Sequence, residues 1–482
     1  MFVGREEQLA ELETLCEKKV SSLVTCRGRR RVGKSTLIAE FARRIKARFI
    51  RLEGVRPRPD LTNADELAAF AEQLSVFAGK KISTPDSWTA AFVALDRTLK
   101  RNERTVVLID EVSWFGAFDD TFADKIKIAW DGYWKNKTKL VVVLCGSVSS
   151  WIKEHIVDNG AFMGRRSLDM VVRELPLDKC VEFWGKKARR IDSREIVDVL
   201  SVTGGVPRYL EEINPSLSAA ENIRRLCFTP NGVLRMDFDD MYRDVITKQP
   251  TFTGKVLRCL VDGPKTATEI SKTLDIEKGG RVSDAIDRLS EVGIVAIDEG
   301  RNPETGDMVK EKRYRLRDNY SRFYLKYIEP VKRMIDDGRY AFKSLDTLDG
   351  WSSIMGLQFE NLVVNNYGML VDRLHLGDAL LISAAPFRKN PVSSRGQSGC
   401  QIDLLLQTRR TIYVIEVKRQ REIDRDVIKE VDRKLKCLKR RDGVSMRAAL
   451  VYDGNLAPIV EADGYFDALI PFKQLLGLDA VQ

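Results

Sequence analysis

The sequence predicts an α/β protein with two separate sheets and a helical region between them. Three observations support this class. A short apolar strand at 22–27 leads into a glycine-rich loop and an amphipathic helix. An apolar strand at 106–109 ends in two acids, and two apolar runs at 404–406 and 412–415 precede a charged helix and another strand. Alternating strands and helices are typical of sheets covered by helices.

Length and composition limit the classes of function. The 482 residues suffice for about three domains. A net charge of +10 permits contact with nucleic acid, and an ordinary solvated basic surface explains it equally well. The eight scattered cysteines form no C-x-x-C pair, which with only two histidines argues against a zinc site or a histidine-based triad. No apolar stretch is as long as a membrane span, and Arg5, Glu6 and Glu7 interrupt any leader. We therefore expect a cytoplasmic protein with no membrane partner.

The loop after the first strand has the pattern of a phosphate-binding loop. It runs Gly-Arg-Arg-Arg-Val-Gly-Lys-Ser-Thr over 28–36, between a strand and a helix. Glycines let backbone N–H groups surround phosphates, and a helix N-terminus favours their negative charge. Lys34 is predicted to reach the β- and γ-phosphates of ATP, and Ser35 to hold Mg²⁺. The predicted nucleotide ligands in this loop are Gly28, Arg31, Val32, Gly33, Lys34, Ser35 and Thr36.

Two further strand ends agree with an ATP site. Asp110 is predicted to hold Mg²⁺ through its water shell, and the adjacent Glu111 to polarise the attacking water. A third strand, 141–145, is followed by Ser147, whose side chain can sense the γ-phosphate. Ser147 can also be the N-cap of the helix predicted near Ser150, and the two roles are compatible.

Together these motifs resemble the archaeal-type ATPase family, which belongs to the AAA+/STAND branch of P-loop proteins. The resemblance covers about residues 1–245. It implies a five-stranded parallel sheet at 1–175 and a helical lid at 176–248. The motifs that carry it are Phe2-Val-Gly-Arg-Glu6, the arginine-rich loop, Ile109-Asp-Glu111, Gly146-Ser147, Gly164-Arg165-Arg166 and Gly204-Gly-Val-Pro-Arg208.

The resemblance also implies roles for residues outside the loop. Pro207, in a turn of the lid, would approach the nucleotide. Arg165 or Arg166 resembles a sensing or finger arginine, supplied within one subunit or to a neighbour. An exposed arginine pair without such a role is the alternative.

Residues 249–318 have the pattern of short helices followed by a hairpin, which resembles the winged helix after the lid in this family. The acids Asp284 and Asp287 on the third helix disfavour reading of bases. Protein docking or spacing, binding to the DNA backbone and, least favoured, transcription regulation remain open. The predicted elements are helices near 256–261, 266–274 and 281–292, and strands at 293–297 and 312–316.

A helical connector at 319–349 leads to the last domain, 350–482. Asp403 precedes the first apolar run of its hairpin, and the second run ends in Glu416-Val417-Lys418. In a strand, Glu416 and Lys418 point to the same face. Paired carboxylates beside a lysine suit metal-dependent phosphodiester cleavage, because their oxygens bind Mg²⁺ or Mn²⁺ and the metal activates water.

The order helix, three strands, helix, strand resembles the PD-(D/E)xK nuclease core, a restriction-endonuclease-like α/β fold. The resemblance makes Asp403 and Glu416 metal ligands, Lys418 the group that orients or activates water, and Glu360 a further carboxylate. A surface ion pair between Glu416 and Lys418 is the alternative. The basic residues of the following helix, among them Lys434, either follow a phosphate backbone or form a solvated face.

The sequence thus predicts an ATPase core with a lid, a winged helix and a metal-dependent nuclease-like domain. Nucleotide state would control how the last domain binds or cuts nucleic acid, with DNA favoured. The competing prediction is a STAND-like switch that binds ATP and assembles with a protein partner or with further copies of itself. In that case the last domain binds but does not cut.

Overall fold

The computed structural model describes residues 2–100, 103–147, 149–245, 250–277, 279–341, 344–377, 379–391 and 399–478. Contacts divide the chain into two units, residues 1–175 with 291–293 and residues 176–290 with 294–482. The domain bounds given above stay a prediction. Within the described ranges, no helix is both long and apolar enough to cross a membrane.

The first unit is built on a parallel sheet of five strands, as predicted. Their spatial order is β2-β3-β4-β1-β5. Both faces of the sheet are covered, which explains why its central strands are continuous apolar runs. The strands are β1 Ser22–Arg27, β2 Arg48–Glu53, β3 Thr105–Asp110, β4 Leu140–Gly146 and β5 Arg166–Val171.

Helices cover the two faces of this sheet and form two apolar cores. Val107 and Ile109 of β3 pack with α3, α4 and α6 on one face, while Val106 and Leu108 pack with α1 and α2 on the other. This burial on both faces fixes the carboxyl ends of the strands along one edge. The helices are α1 Glu6–Thr14, α2 Lys34–Arg44, α3 Asn63–Ala78, α4 Trp88–Thr98, α5 Val112–Phe115, α6 Phe122–Ala129 and α7 Ser149–Ile152.

The second unit contains a mixed sheet of five strands and a separate two-stranded hairpin, β6–β7. The mixed sheet has the order β12-β11-β10-β9-β8. Strands β8, β9 and β10 are antiparallel neighbours, whereas β10, β11 and β12 are parallel. The strands are β6 Val295–Asp298, β7 Arg313–Leu316, β8 Leu381–Lys389, β9 Cys400–Thr408, β10 Thr411–Ile423, β11 Ser445–Leu456 and β12 Ala468–Pro471.

The helices of the second unit precede and cover these strands. Three of them, α13 to α15, lead into the β6–β7 hairpin, which is the order of elements predicted for the winged helix. Residues 392–398, between β8 and β9, lie outside the described residues. The helices are α8 Leu177–Cys180, α9 Ser193–Thr203, α10 Pro207–Leu210, α11 Ala219–Cys227, α12 Val233–Val245, α13 Pro250–Cys259, α14 Ala267–Thr273, α15 Gly280–Glu291, α16 Asn319–Phe323, α17 Lys332–Asp336, α18 Trp351–Asn365, α19 Tyr367–Arg373, α20 Asp426–Cys437, α21 Pro458–Ala462 and α22 Phe472–Leu475.

A buried polar group of residues joins α9, α16 and α18, and we call it the amide cluster: Ser201, Asn319, Arg322, Gln358 and Asn361. The Gln358 side chain donates to the carbonyls of Ser201 (2.8 Å) and Asn319 (2.7 Å). It accepts from Arg322 Nη1 at 2.8 Å. Asn319 Nδ2 donates to the same Ser201 carbonyl at 3.2 Å. Burial lowers the pKa of Arg322 to about 10.

We expect Gln358→Ala to lower the free energy of unfolding by about 2–4 kcal/mol, because it removes three buried hydrogen bonds to partners in α9 and α16. Chemical denaturation of the full chain measures the change. The exposed Gln420 offers a matched control, and Gln420→Ala should alter stability by less than about 0.5 kcal/mol. Equal losses in the two variants would contradict a structural role for the cluster.

Candidate functional site

The carboxyl ends of three neighbouring strands, β3, β4 and β1, meet at one edge of the first sheet. Arg27 at the end of β1 lies in register with Gly146 at the end of β4. The loop 28–33 follows β1, Asp110 ends β3, and Ser147 follows β4. Open α/β sheets bind ligands in the crevice beyond such strand ends. The structure therefore brings the predicted nucleotide residues of three separate segments to one edge.

The loop itself requires glycine at its first position. Gly28 has φ 149°, and a Cβ atom there would lie 2.1 Å from the Val172 carbonyl oxygen. The Lys34 ammonium donates to the carbonyls of Gly28 (2.9 Å) and Arg29 (3.0 Å), so it closes the loop on itself. Helix α2 begins at Lys34, directly after the loop, as phosphate binding at a helix N-terminus requires.

The two predicted Mg²⁺ residues of this site are in direct contact. Ser35 Oγ donates to Asp110 Oδ2 at 2.6 Å. Arg51 Nη2 lies 3.0 Å from the same oxygen and 2.8 Å from Glu53. Hydroxyl and carboxylate oxygens are suitable donors for Mg²⁺. Sequence reasoning missed Arg51, because its contact with Asp110 depends on β2 lying beside β3 in the sheet.

Glu111 is held by Ser147. The carboxylate accepts the Ser147 N–H at 3.1 Å and its hydroxyl at 2.8 Å. Glu111 has φ 47°, a left-handed conformation that turns the chain from β3 into α5. These bonds make Ser147 the residue that positions Glu111, and its sensing of phosphate stays a prediction.

An arginine near the start of the chain supports the loop from outside. Arg5 Nη2 donates to the Val32 carbonyl at 3.0 Å and to the Arg173 carbonyl at 2.6 Å. The sequence motif containing Arg5 was noted, but its bracing role was not predicted. The sequence offers no signal for this role, because the left-handed backbone of Arg5, φ 73°, is seen only in the structure.

Arg165 and Arg166 lie away from the phosphate-binding loop of the same sheet. Arg166 begins β5 and pairs with Leu23 of β1. Leu23 is four residues before Arg27, where the loop begins, so Arg166 lies about 13 Å from the loop along the strand. Arg165 binds Asp131 through Nε (3.0 Å) and Nη2 (2.9 Å). The structure therefore does not bring these arginines to their own nucleotide site, and a role in a neighbouring subunit stays a prediction.

A second group of charged residues lies on the mixed sheet. Leu404 of β9 pairs with Ile415 of β10, so the next pair in the antiparallel register is Asp403 with Glu416. The Val417 N–H donates to Asp403 Oδ2 at 2.9 Å. Asp403 is 8% exposed and Glu416 only 1%. Glu360 of α18 lies near both acids. The charge of Glu416 contributes to raising the pKa of Glu360, and the charge of Glu360 contributes to raising the pKa of Asp403.

Two lysines hold Glu416. Lys434 Nζ lies 2.8 and 2.6 Å from its two carboxylate oxygens, and Lys418 Nζ lies 3.0 Å from one of them. The same two ammonium groups contact Glu430 at 3.2 and 2.8 Å. We call these residues the carboxylate cluster: Glu360, Asp403, Glu416, Lys418, Glu430 and Lys434.

Burial corrects two predictions about this cluster. Glu416 and Lys418 do form the ion pair of the alternative prediction, at 3.0 Å, but its surface location is wrong, because Glu416 is buried. Lys434 on a solvated or phosphate-following face is also wrong, because its side chain is only 8% exposed. Val427, Val431 and Lys434 occupy one buried stripe of α20 at helical spacing, a signal that could have placed Lys434 inward.

The cluster has more negative charge than its lysines neutralise. Burial, and then the charges of Glu416 and Glu360, raise the pKa of Asp403 well above its usual value. Burial, and then Glu416, likewise raise the pKa of Glu360. Burial alone would lower the pKa of Lys434, but Glu416 and Asp403 outweigh it and raise the pKa.

Glu360, Asp403, Glu416 and Lys418, the four residues predicted here, are thus brought together. Their oxygens are of the type that Mg²⁺ or Mn²⁺ prefers. Among the residues that the structure describes, however, no three acids, histidines or cysteines are arranged to hold a metal ion. In this arrangement the oxygens of Glu416 are paired with the ammonium groups of the two lysines, and metal binding by Asp403 and Glu416 stays a prediction.

Comparison with known proteins identifies the N-terminal part. Residues 2–213 match the family model for an ATPase domain predominantly from Archaea. These residues are an archaeal-type ATPase domain. The resemblance predicted from the motifs is confirmed. The archaeal-type ATPase domain extends beyond the first unit through α9 and α10, and Pro207 is the first residue of α10. The approach of Pro207 to the nucleotide stays a prediction.

Proteins similar to this chain in sequence or in fold come from three named organisms. The uncharacterized protein MJECL04 of Methanocaldococcus jannaschii is 24% identical over 436 residues, covering 89% of this chain and 90% of that protein. The Walker-type ATPase PABY2304 of Pyrococcus abyssi is 17% identical with a TM-score of 0.50, covering 67% of this chain and 96% of the other. The Aeropyrum pernix ORC2 protein is 13% identical with a TM-score of 0.44, covering 70% and 95%. The similarity to the Pyrococcus structure shows a shared P-loop ATPase fold.

One helix of the archaeal-type ATPase domain contacts elements that carry the carboxylate cluster. Asp198 of α9 lies 2.5 Å from Arg419, the residue after Lys418 on β10. Arg419 also contacts Asp453 of β11 at 3.3 Å. Through the amide cluster, α9 is bonded to α18 as well, and α18 carries Glu360. Helix α9 thus contacts two of the four elements that form the cluster.

Proposed function

We propose that this protein couples ATP binding and hydrolysis to metal-dependent binding or cleavage of nucleic acid, with DNA favoured, by its last domain. The observation that best supports this proposal is that one chain contains both an archaeal-type ATPase domain and a buried carboxylate cluster on a separate mixed sheet. Both sites would act on phosphate groups.

In the ATPase site, the ammonium of Lys34 would exchange the carbonyls of its own loop for the β- and γ-phosphates. Ser35 and Asp110, already in contact, would hold Mg²⁺, which neutralises phosphate charge. Glu111 would polarise the attacking water from the position that Ser147 gives it. An arginine at 165 or 166 would act on the nucleotide of a neighbouring copy, which makes a homo-oligomer the expected assembly.

In the last domain, Asp403 and Glu416 would hold Mg²⁺ or Mn²⁺, with Glu360 as a further carboxylate. Such a metal supplies activated water and charge neutralisation at a phosphate. Lys418 would orient or activate the water. The surplus of buried carboxylates supports this proposal, because a divalent cation would offset the burial and the charges of Glu416 and Glu360, which together raise the pKa of Asp403.

The contacts of α9 support coupling between the two activities. This helix belongs to the ATPase domain by sequence, and it binds both β10 through Arg419 and α18 through Gln358. A nucleotide-dependent displacement of α9 would therefore move the strand and the helix that carry Glu416 and Glu360. Packed elements with two discrete arrangements are the physical means by which distant sites influence each other.

A second candidate function is the STAND-like switch whose last domain binds but does not cut. The specific observation in its favour is that Lys434 engages both oxygens of Glu416. A protein partner or a further copy of the chain would then bind through residues 249–318, the predicted winged helix.

The proposal is tested with plasmid and single-stranded DNA, with Mg²⁺ or Mn²⁺, with and without ATP. We expect Asp403→Asn to reduce cutting at least about 100-fold, because it removes one buried oxygen ligand and its charge. Gel analysis of cut DNA measures the effect.

Asp426, an exposed acid at the start of α20, gives the matched control, and Asp426→Asn should cut like the wild type. ATP turnover without metal-dependent cutting by the wild type would favour the switch. Cutting that survives Asp403→Asn would remove the carboxylate cluster as the site.

A further inference from the structure

Lys434 occupies the position at which a cation would bind Glu416. Its ammonium lies 2.8 and 2.6 Å from the two carboxylate oxygens, and its side chain is buried on α20. A divalent cation that uses Glu416 must take over at least one of these oxygens. The lysine and the metal therefore compete for the same acceptor.

The cluster also contains a second acceptor for the displaced lysine. Glu430 lies one helical turn before Lys434 on α20, and the two side chains are 3.2 Å apart. Residues at this spacing face each other on a helix. Glu430 is more exposed than Glu416, at 36% against 1% of its side chain, so a lysine paired with it remains partly solvated.

We propose that Lys434 is an internal counter-ion that holds the acids together and must transfer from Glu416 to Glu430 before a divalent cation can bind. This inference rests on the metal-dependent function proposed above, and it names the residues that regulate metal entry. Lys434 and Glu430 are positioning residues with opposite effects on metal affinity.

Mn²⁺ binding to the nucleotide-free full chain, followed by electron paramagnetic resonance, measures this competition without any activity assay. We expect Lys434→Met to tighten Mn²⁺ binding about tenfold or more, because it removes a positive charge a few ångström from the cation. We expect Glu430→Gln to weaken binding, because the displaced lysine loses its acceptor. Lys429→Met, an exposed change on the same helix, should leave affinity unchanged.

Subtracting the signal of Asp403→Asn assigns the bound Mn²⁺ to this cluster. Loss of packing in Lys434→Met is checked by thermal melting, and Mn²⁺ should raise its melting temperature more than that of the wild type. Asp403-dependent binding in the wild type with no tightening in Lys434→Met would overturn this inference alone. Binding that appears only in Lys434→Met would support it. No Asp403-dependent binding in either protein would reject both the inference and the metal site itself.

Discussion

Lys34→Ala should lower ATP affinity at least about 100-fold and abolish measurable turnover. Each charge-assisted bond from Lys34 to a phosphate is worth about 1.5–3 kcal/mol, and about 1.4 kcal/mol is a factor of ten in affinity. The structure adds a second reason, because the same ammonium closes the loop on the carbonyls of Gly28 and Arg29. Titration of a fluorescent ATP analogue and phosphate release measure the two effects.

The matched control for this change is Lys80→Ala, an exposed lysine in the same unit. It should bind ATP like the wild type. An Lys34→Ala protein that binds ATP within about threefold of the wild type would contradict the assignment of the loop.

Glu111→Gln should separate binding from hydrolysis. The amide oxygen can still accept from Ser147, so the local geometry and ATP affinity should persist. The lost carboxylate charge can no longer polarise water, and turnover should fall at least about 100-fold. Equilibrium binding of ATP and steady-state phosphate release, measured on the same preparation, test both parts.

Glu154→Gln, an exposed change in the same unit, controls for altered surface charge and should hydrolyse ATP normally. Equal turnover by Glu111→Gln and the wild type would remove Glu111 from the role of water activator. A simultaneous loss of binding would instead indicate that Glu111 maintains the fold of the site.

The ATPase site was predictable because its residues are set by short segments of sequence. A strand, a glycine loop and a helix specify where Lys34 and Ser35 stand, and strand ends place Asp110 and Glu111. What could not be predicted are contacts between segments, such as the pairing of Arg51 with Asp110. Such pairs depend on the strand order, which single strands do not reveal.

The last domain shows the same division. Alternation along β10 correctly placed Glu416 and Lys418 on one face. The hairpin register that sets Asp403 opposite Glu416 was not predicted and is seen only in the structure. Lys434 was assigned to the wrong face because neighbouring basic residues dominated the pattern of α20. Its partner, Glu416, lies on β10, so the pair exists only because α20 packs on the sheet. There the buried carboxylate compensates the charge of the buried ammonium.

The amide cluster has a consequence for how this chain can be divided. A fragment that begins at residue 350 would keep Gln358 but lose its partners Ser201, Asn319 and Arg322. In that fragment the Gln358 side chain of α18 would lack hydrogen-bond partners on the surface that packs against α9 and α16 in the full chain. We therefore expect such a fragment to be less stable than the same residues in the full chain, where α9 and α16 supply the partners of Gln358.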